Sequence, residues 1–292
     1  MPEIVNDETV KAMIIDGLKK KYEGQRVGVH LTDLICVRLT YFRKREGDNL
    51  SERDIVFYAL GAGEGEVIEQ LLGDKREVIV IKNGVVHTVD AITFVDDSIF
   101  PVEIKTTRTE RVEKVDDVVR PHYLFQLGAY CSALSVSTGF LVVLMMNRGE
   151  VKVFKVNFSS EELENIEREV SRRKDLLLKA LQEDDPTIAP SVLNDPDLNW
   201  KCNECRFREV CVEAERGWRR FKFSSPLDIK RGFAAKLLDR LEKYKQKLEL
   251  DYRIDYDGEK NVLAVSVKGT DLSVEDVKDL CQWINSKISK KG

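Results

Sequence analysis

The sequence predicts a mixed α/β protein, with a central mixed sheet flanked by helices and a small α/β extension after it. Three observations predict this. Residues 77–105 alternate apolar and polar with period two, broken by two turn signals. Residues 121–134 and 159–182 carry helical spacing on either side of the fully apolar strand segment 139–146. From Ser224 a capped helix, a hairpin and a terminal helix follow, with no internal repeat. A chain of 292 residues with 42% hydrophobic content has the length for one large domain or two. The change of character places the boundary between residues 222 and 223.

Taken in order, residues 9–22 read as a short helix and residues 51–72 as a second one. The glycines of "LGAGEGEVIEQLL" weaken the early part of that second helix. "EVIVIK" (77–82), a turn at Asn83-Gly84, "VVHTVDAITFV" (85–95), a turn at 96–98 and "IFPVEIK" (99–105) form a three-strand meander. A charged stretch, 108–120, leads into the helix "PHYLFQLGAYCSAL". "GFLVVLMM" then turns at "NRG" into the strand "EVKVFKV" (150–156). In the long amphipathic helix 159–182, Ser159 and Glu162 have the spacing of a capping box. Pro186, Pro190 and Pro196 mark an extended connection. The main body is therefore α-β-β-β-α-β in order. In the extension, Pro226 stands in the first turn of a helix and Asp257-Gly258 turns a hairpin.

The net charge of −4 does not announce a nucleic-acid binder. The local distribution is different: "RLTYFRKR" (38–45) has four bases and no acids, and residues 201–222 carry seven bases and four acids. Basic clusters interleaved with aromatic rings suit a phosphate backbone with exposed bases; Tyr41, Phe42, Phe207 and Trp218 are the candidate stacking rings, with Phe207 and Trp218 alternatively packing around the cysteines. A charged fraction of 34% with few glutamines resembles the composition of thermophile proteins. No apolar leader follows Met1 and no window approaches 18 apolar residues, so the expectation is a cytoplasmic protein with no membrane contact. In that compartment the six cysteines, at 36, 131, 202, 205, 211 and 281, serve a metal or packing rather than disulfides.

Glu103 and Lys105 lie two apart on a strand and so share one face. Asp90 precedes Glu103 by thirteen residues across a short turn, which brings the two carboxylates side by side on adjacent antiparallel strands. Paired carboxylates repel unless a cation lies between them. An all-oxygen donor set favours Mg²⁺ or Mn²⁺. Lys105 is then placed to orient a water or to stabilise charge on phosphorus, in metal-assisted hydrolysis. Gln126 and Tyr130, four apart on the next helix, share one of its faces.

Asp90, "PVEIK" and "QLGAY" together resemble the PD-(D/E)xK nuclease superfamily, in its RecB-like branch with a Q-x-x-x-Y helix. The resemblance implies a restriction-endonuclease-like core. It also implies metal ligation by Asp90, Glu103 and the Ile104 carbonyl, with Lys105, Gln126 and Tyr130 as active-site residues. RecB-like members often carry G-x-x-x-H on the preceding helix; here Gly65 stands where that histidine would follow Gly61, and Glu66 or Glu69 is the candidate substitute.

"CNECRFREVC" sets Cys202, Cys205 and Cys211 in a tight C-x2-C-x5-C triplet, one thiolate short of a tetrahedral zinc or a cubane cluster. Cys131 and Cys281 read as packing residues, so Cys36, which opens a basic aromatic segment, is the candidate fourth ligand. A distal cysteine with such a triplet resembles the iron-sulfur RecB-like nucleases and, more narrowly, the CRISPR-associated RecB-type exonuclease family. "TDLICVRLTYF" is similar to that family's opening, with Val37 where proline is usual. The resemblance covers about residues 28–215. It implies a cluster, typically 4Fe-4S, with structural zinc as the alternative, closing the long loop from residue 36 to residue 202.

The expected function is a metal-dependent DNA exonuclease preferring single strands. The resemblance implies 5′ to 3′ polarity and CRISPR spacer acquisition beside the integrase proteins. The alternatives are a repair or replication nuclease of the same superfamily, and a DNA-binding adaptor with weakened catalysis.

Overall fold

The computed structural model describes residues 8–22, 26–47, 51–72, 75–96, 98–108, 118–203, 205–224, 237, 239–242, 251–257, 262–268, 279 and 282–283. The chain divides into two compact units, Met1–Leu177 and Leu178–Gly292.

The first unit contains α1 (Glu8–Tyr22), β1 (Val29–His30), a 3-10 turn (Leu31–Leu34), α2 (Val37–Glu46) and α3 (Glu52–Leu72). Then come β2 (Lys75–Lys82), β3 (Val85–Val95), β4 (Ser98–Thr107), α4 (Pro121–Leu134), β5 (Thr138–Met145), β6 (Glu150–Asn157) and α5 (Ser160–Glu183), within which the division falls. From α3 to β5 the order is α-β-β-β-α-β, and the sheet is mixed. β3 pairs antiparallel with β2 and β4, β4 pairs parallel with β5, and β5 antiparallel with β6.

The register creates a fork. Ala91 and Ile92 pair with β2 on one edge of β3 and with β4 on the other. Val85 and Val86 also pair with β2, so their parallel partner β1 must lie on the edge that β4 occupies further along. β4 has its last main-chain pair with β3 at Val102–Ala91, and its onward residues pair only with β5. Residues 87–90 of β3 and the stretch of β4 from Glu103 onward therefore border an opening in the ladder.

Opposite faces of the sheet carry different layers. Val102 and Ile104 join Ala91 and Val142 in one apolar cluster, and α3 approaches that face with Gly61 close to the Thr106 hydroxyl. Glu103 and Lys105 alternate to the other face. Their β5 neighbours Leu141 and Val143 pack there with Leu127 and Cys131 of α4. The close approach of α4 depends on Gly139: a Cβ there would stand 2.7 Å from Leu127, 3.0 Å from the Pro101 carbonyl oxygen and 3.1 Å from the Cys131 sulfur.

Polar ties hold the layers in register. Lys82 Nζ donates to Glu167 at 2.8 Å and to the Ser132 hydroxyl at 2.9 Å, joining the β2–β3 turn to α4 and α5. Asn83 donates to the other Glu167 oxygen, and Lys174 donates to the Asn83 carbonyl. Ser159 and Glu162 form the capping box read from the sequence, each side chain meeting the other's backbone N–H.

The second unit contains a 3-10 turn (Asn199–Cys202), α6 (Arg208–Glu215), β7 (Arg219–Ser224), β8 (Asp251–Asp257) and β9 (Val262–Lys268). The hairpin expected after residue 250 is present as β8 and β9, and β7 completes a sheet of order β7-β9-β8. β9 is central and every residue from 263 to 267 is buried, as a strand covered on both faces requires. Ser224, read as the start of a helix, is instead the last residue of a strand. β7 runs through the boundary expected at 222. Most of the two expected C-terminal helices, Cys281 and residues 109–117 lie outside the described residues.

Among the described residues no helix is long and apolar enough to cross a membrane.

Candidate active site

The fork brings the acidic residues together. Continuing the β3–β4 register one step beyond Ala91–Val102 sets Asp90 opposite Glu103. The ladder has ended there, and the Asp90 carboxylate accepts the Ile104 N–H at 2.8 Å. A buried N–H without a partner is costly, so this bond both satisfies the strand and anchors the acid. The N–H and C=O of one strand residue point to the same edge. The Ile104 carbonyl therefore faces the opening on Asp90's side.

Glu103 is fully buried, and its charge is met by an ion pair with Lys105, whose side chain is 24% exposed. Neither Glu103 oxygen has a donor in good hydrogen-bond geometry among the described residues. Burial works to lower the Lys105 pKa, but the carboxylates of Glu103 and Asp90 outweigh it, so the ammonium is held above its ordinary value. Helix α4 supplies the roof. The buried Tyr130 hydroxyl faces Glu103 and Gln126, and its pKa is raised well above normal by burial first and the carboxylates second. Gln126 is buried as well. Tyr130 thus faces the carboxylate rather than solvent.

Two further groups belong to this cluster. Tyr123 lies three residues before Gln126 on the same helical face, with the Lys105 ammonium 5.5 Å from its ring centroid. The helical spacing held that signal. His87 meets the Tyr130 ring edge-on at 6.4 Å, and its buried Nδ1 has no partner among the described residues. Burial, helped by the Lys82 charge, pushes its pKa down to about 4. Nothing in the alternation of "VVHTVDA" marks His87 as a neighbour of the helix.

Other expected groups fall elsewhere. Glu66 is exposed on α3, and the side chain of Glu69 lies outside the described residues. Among the described residues no three His, Cys, Asp or Glu side chains are gathered to hold a metal ion. Cys36 belongs to the first unit and Cys202, Cys205 and Cys211 to the second; all four are half-buried. A cluster on them is carried by the sequence pattern alone. Cys131 is a core residue whose thiol burial pushes up to about 12. The turn ahead of Cys36 is well built: Asp33 accepts the His30 N–H at 2.9 Å, and Arg173 of α5 donates to the Leu34 carbonyl while lying over the Phe125 ring.

The expected stacking rings are covered. Tyr41 and Phe42 are buried and pack edge-on to each other, and Phe207 is buried beneath Arg206. The Arg253 guanidinium lies 4.3 Å over Trp218. Trp200, which the sequence did not single out, is 55% exposed, with Lys201 beside its ring. Arg43, Lys44 and Arg45 of α2 are exposed, as the basic segment predicts.

Fold and site together define a mixed α/β protein with a buried acid–lysine cluster at a sheet fork. No family model matches the chain, and no curated protein matches it. Among solved structures it is similar to the crystal structure of SSO0001, with 19% identity, 69% of this chain and 95% of that chain covered, and a TM-score of 0.48.

Proposed function

We propose that this chain is a metal-dependent deoxyribonuclease that hydrolyses phosphodiester bonds, with single-stranded DNA as its preferred substrate, on a restriction-endonuclease-like core. The observation that carries the reading is Glu103: a fully buried carboxylate beside Asp90, paired with Lys105 and faced by the Tyr130 hydroxyl. Two neighbouring carboxylates share one ammonium, and an all-oxygen pocket of that kind suits a hard cation. Asp90, Glu103 and the Ile104 carbonyl would hold it. Mg²⁺ keeps several of its waters, so two carboxylates are enough protein ligands. A bound ion of this kind polarises the phosphate and lowers the pKa of water.

The protein's own groups have distinct tasks. Tyr130 orients the Glu103 carboxylate from above, and Gln126 meets the Tyr130 hydroxyl. Asp90 is fixed by the Ile104 N–H. Lys105 places its ammonium on the open side of the acids, where charge accumulates on the phosphate. Arg43, Lys44 and Arg45, and separately Trp200 with Lys201, offer charge and a stacking face to a strand.

The test is cleavage of an end-labelled single-stranded oligonucleotide in Mg²⁺ or Mn²⁺, comparing the wild type with Asp90→Ala. The variant is expected to lose roughly 100-fold or more of the rate, and EDTA to abolish it. Equal degradation by both proteins overturns the reading. DNA binding without cleavage by the wild type would favour the adaptor. The labelled end also reports polarity, for which the resemblance implies 5′ to 3′, with a place in CRISPR spacer acquisition.

The same resemblance implies an iron-sulfur cluster on Cys36, Cys202, Cys205 and Cys211. Protein purified without oxygen is expected to be brown, with iron and acid-labile sulfide, and Cys202→Ala to lose both colour and stability. Colourless protein with stoichiometric zinc would replace the cluster by a zinc site.

A further inference from the structure

We propose that Tyr123 is a positioning residue for Lys105 in the cleavage reaction, an inference that rests on the nuclease reading above. A strand fixes only the Cα of Lys105. Its four-carbon stem leaves the ammonium free to sample many rotamers, and holding it in one place requires contacts at the far end. Two are present: the Glu103 carboxylate and the face of the Tyr123 ring, 5.5 Å from Nζ. The carboxylate is a poor sole anchor, because the nuclease reading gives Glu103 a second cation to serve. The ring attracts the ammonium through its quadrupole and has no competing duty.

The ring is itself held firmly. Tyr123 sits on the first turns of α4, behind Pro121 at the helix start, and its N–H bonds to the Arg120 carbonyl at 2.9 Å. The same helix is tied down by Lys82 at Ser132 and packed into the core through Leu127 and Cys131. His122 packs against the Tyr123 ring with centroids 4.3 Å apart. Tyr123, Gln126 and Tyr130 thus form one helical face with divided tasks: Tyr130 addresses Glu103, Gln126 meets the Tyr130 hydroxyl, and Tyr123 addresses Lys105.

The role needs the ring and not the hydroxyl, which separates it from a general-acid or metal-binding role for the phenol. Tyr123→Leu is expected to lower kcat about tenfold with KM for the oligonucleotide within about twofold, and Tyr123→Phe to restore kcat to within about twofold of the wild type. An independent readout is the spectrum of ¹³C-lysine-labelled protein. The Lys105 side-chain signals, assigned through Lys105→Met, should be shifted upfield by the ring current in the wild type and in Tyr123→Phe. In Tyr123→Leu they should return to the solvent-exposed position.

Unchanged kcat in Tyr123→Leu, an equal loss in Tyr123→Phe, or a rise confined to KM overturns the proposal while leaving the nuclease reading intact. A wild type that does not cleave, or cleavage indifferent to Asp90→Ala, overturns both.

Discussion

Glu103→Ala is expected to cost about 2–4 kcal/mol of folding stability, and most of that loss should return when Lys105→Met is added. The ammonium of Lys105 is largely withdrawn from water, and its compensation is chiefly the Glu103 carboxylate, with Asp90 second. Removing one partner leaves the other as uncompensated charge, which is worse than removing both. The estimate sits toward the lower side of the usual range for a broken buried pair because Lys105 keeps 24% of its side-chain surface in solvent. Lys105→Met alone should also destabilise, since it leaves Glu103 facing Asp90. Urea midpoints of the wild type, both single variants and the double variant form the cycle. Additive losses would show that the two charges do not act as a unit. The double variant should be nearly as stable as the wild type yet unable to cleave DNA, which separates chemistry from folding.

The second large effect is pH-dependent. His87 is 3% exposed and neutral in the folded protein, with a pKa lowered to about 4 by burial and by Lys82. Glu167 on α5 opposes that shift, and the Tyr130 ring on α4 covers the imidazole's edge without offering a charge. In the unfolded chain the imidazole titrates near 6.5. Between those values the unfolded state binds a proton that the folded state refuses, so stability falls as pH is lowered through this window. At pH 5 the loss attributable to His87 is about 2 kcal/mol relative to pH 7. His87→Phe should remove that slope. The acids held low by their partners act in a different window. Glu169, pushed down to about 2 by Arg172 first and Arg173 as well, keeps its full contribution above the ordinary glutamate range and loses it progressively from there down to about pH 2. If the wild type and His87→Phe lose equal stability between pH 7 and pH 5, the imidazole is not held neutral by burial.

The two experiments probe opposite answers to one problem. Glu103 and Lys105 keep their charges under the helix by pairing, whereas His87 gives its charge up. Both answers follow from α4 lying directly on the carboxylate face of the sheet, an approach that Gly139 permits by having no side chain.

Much of the first unit was legible in local pattern. β3 has the same bounds as the period-two segment, and α4 the same bounds as the helical one, because each element buries one face and so repeats its apolar residues at its own period. Asp90, Glu103 and Lys105 were legible together because a short turn fixes antiparallel register. What escaped were elements stabilised by distant partners. β7 is a short charged run, "RRFKFS", and its extended form comes from pairing with β9 some forty residues later. α2 contains Val, Thr, Tyr and Phe, which are weak helix formers, and it buries those residues by packing rather than by propensity. The same packing withdrew Tyr41 and Phe42 from the surface, where a basic aromatic segment had placed them.

By itself, then, the sequence determined the order of strands and helices around the sheet, and the membership of the acid–lysine cluster. Those depend on periodicity and on connections of a few residues. Only the tertiary structure decided that the cluster lies at a fork: β1, more than fifty residues before the edge of β3 on which it pairs, takes the place β4 has left. The fork frees the Ile104 N–H for Asp90. The fold also decided that Tyr123 and His87 join the cluster, and that Trp200 stands open while Tyr41, Phe42 and Phe207 are buried. These are non-local contacts, and their gain appears only after the chain has met the entropic cost of closing the loops between them.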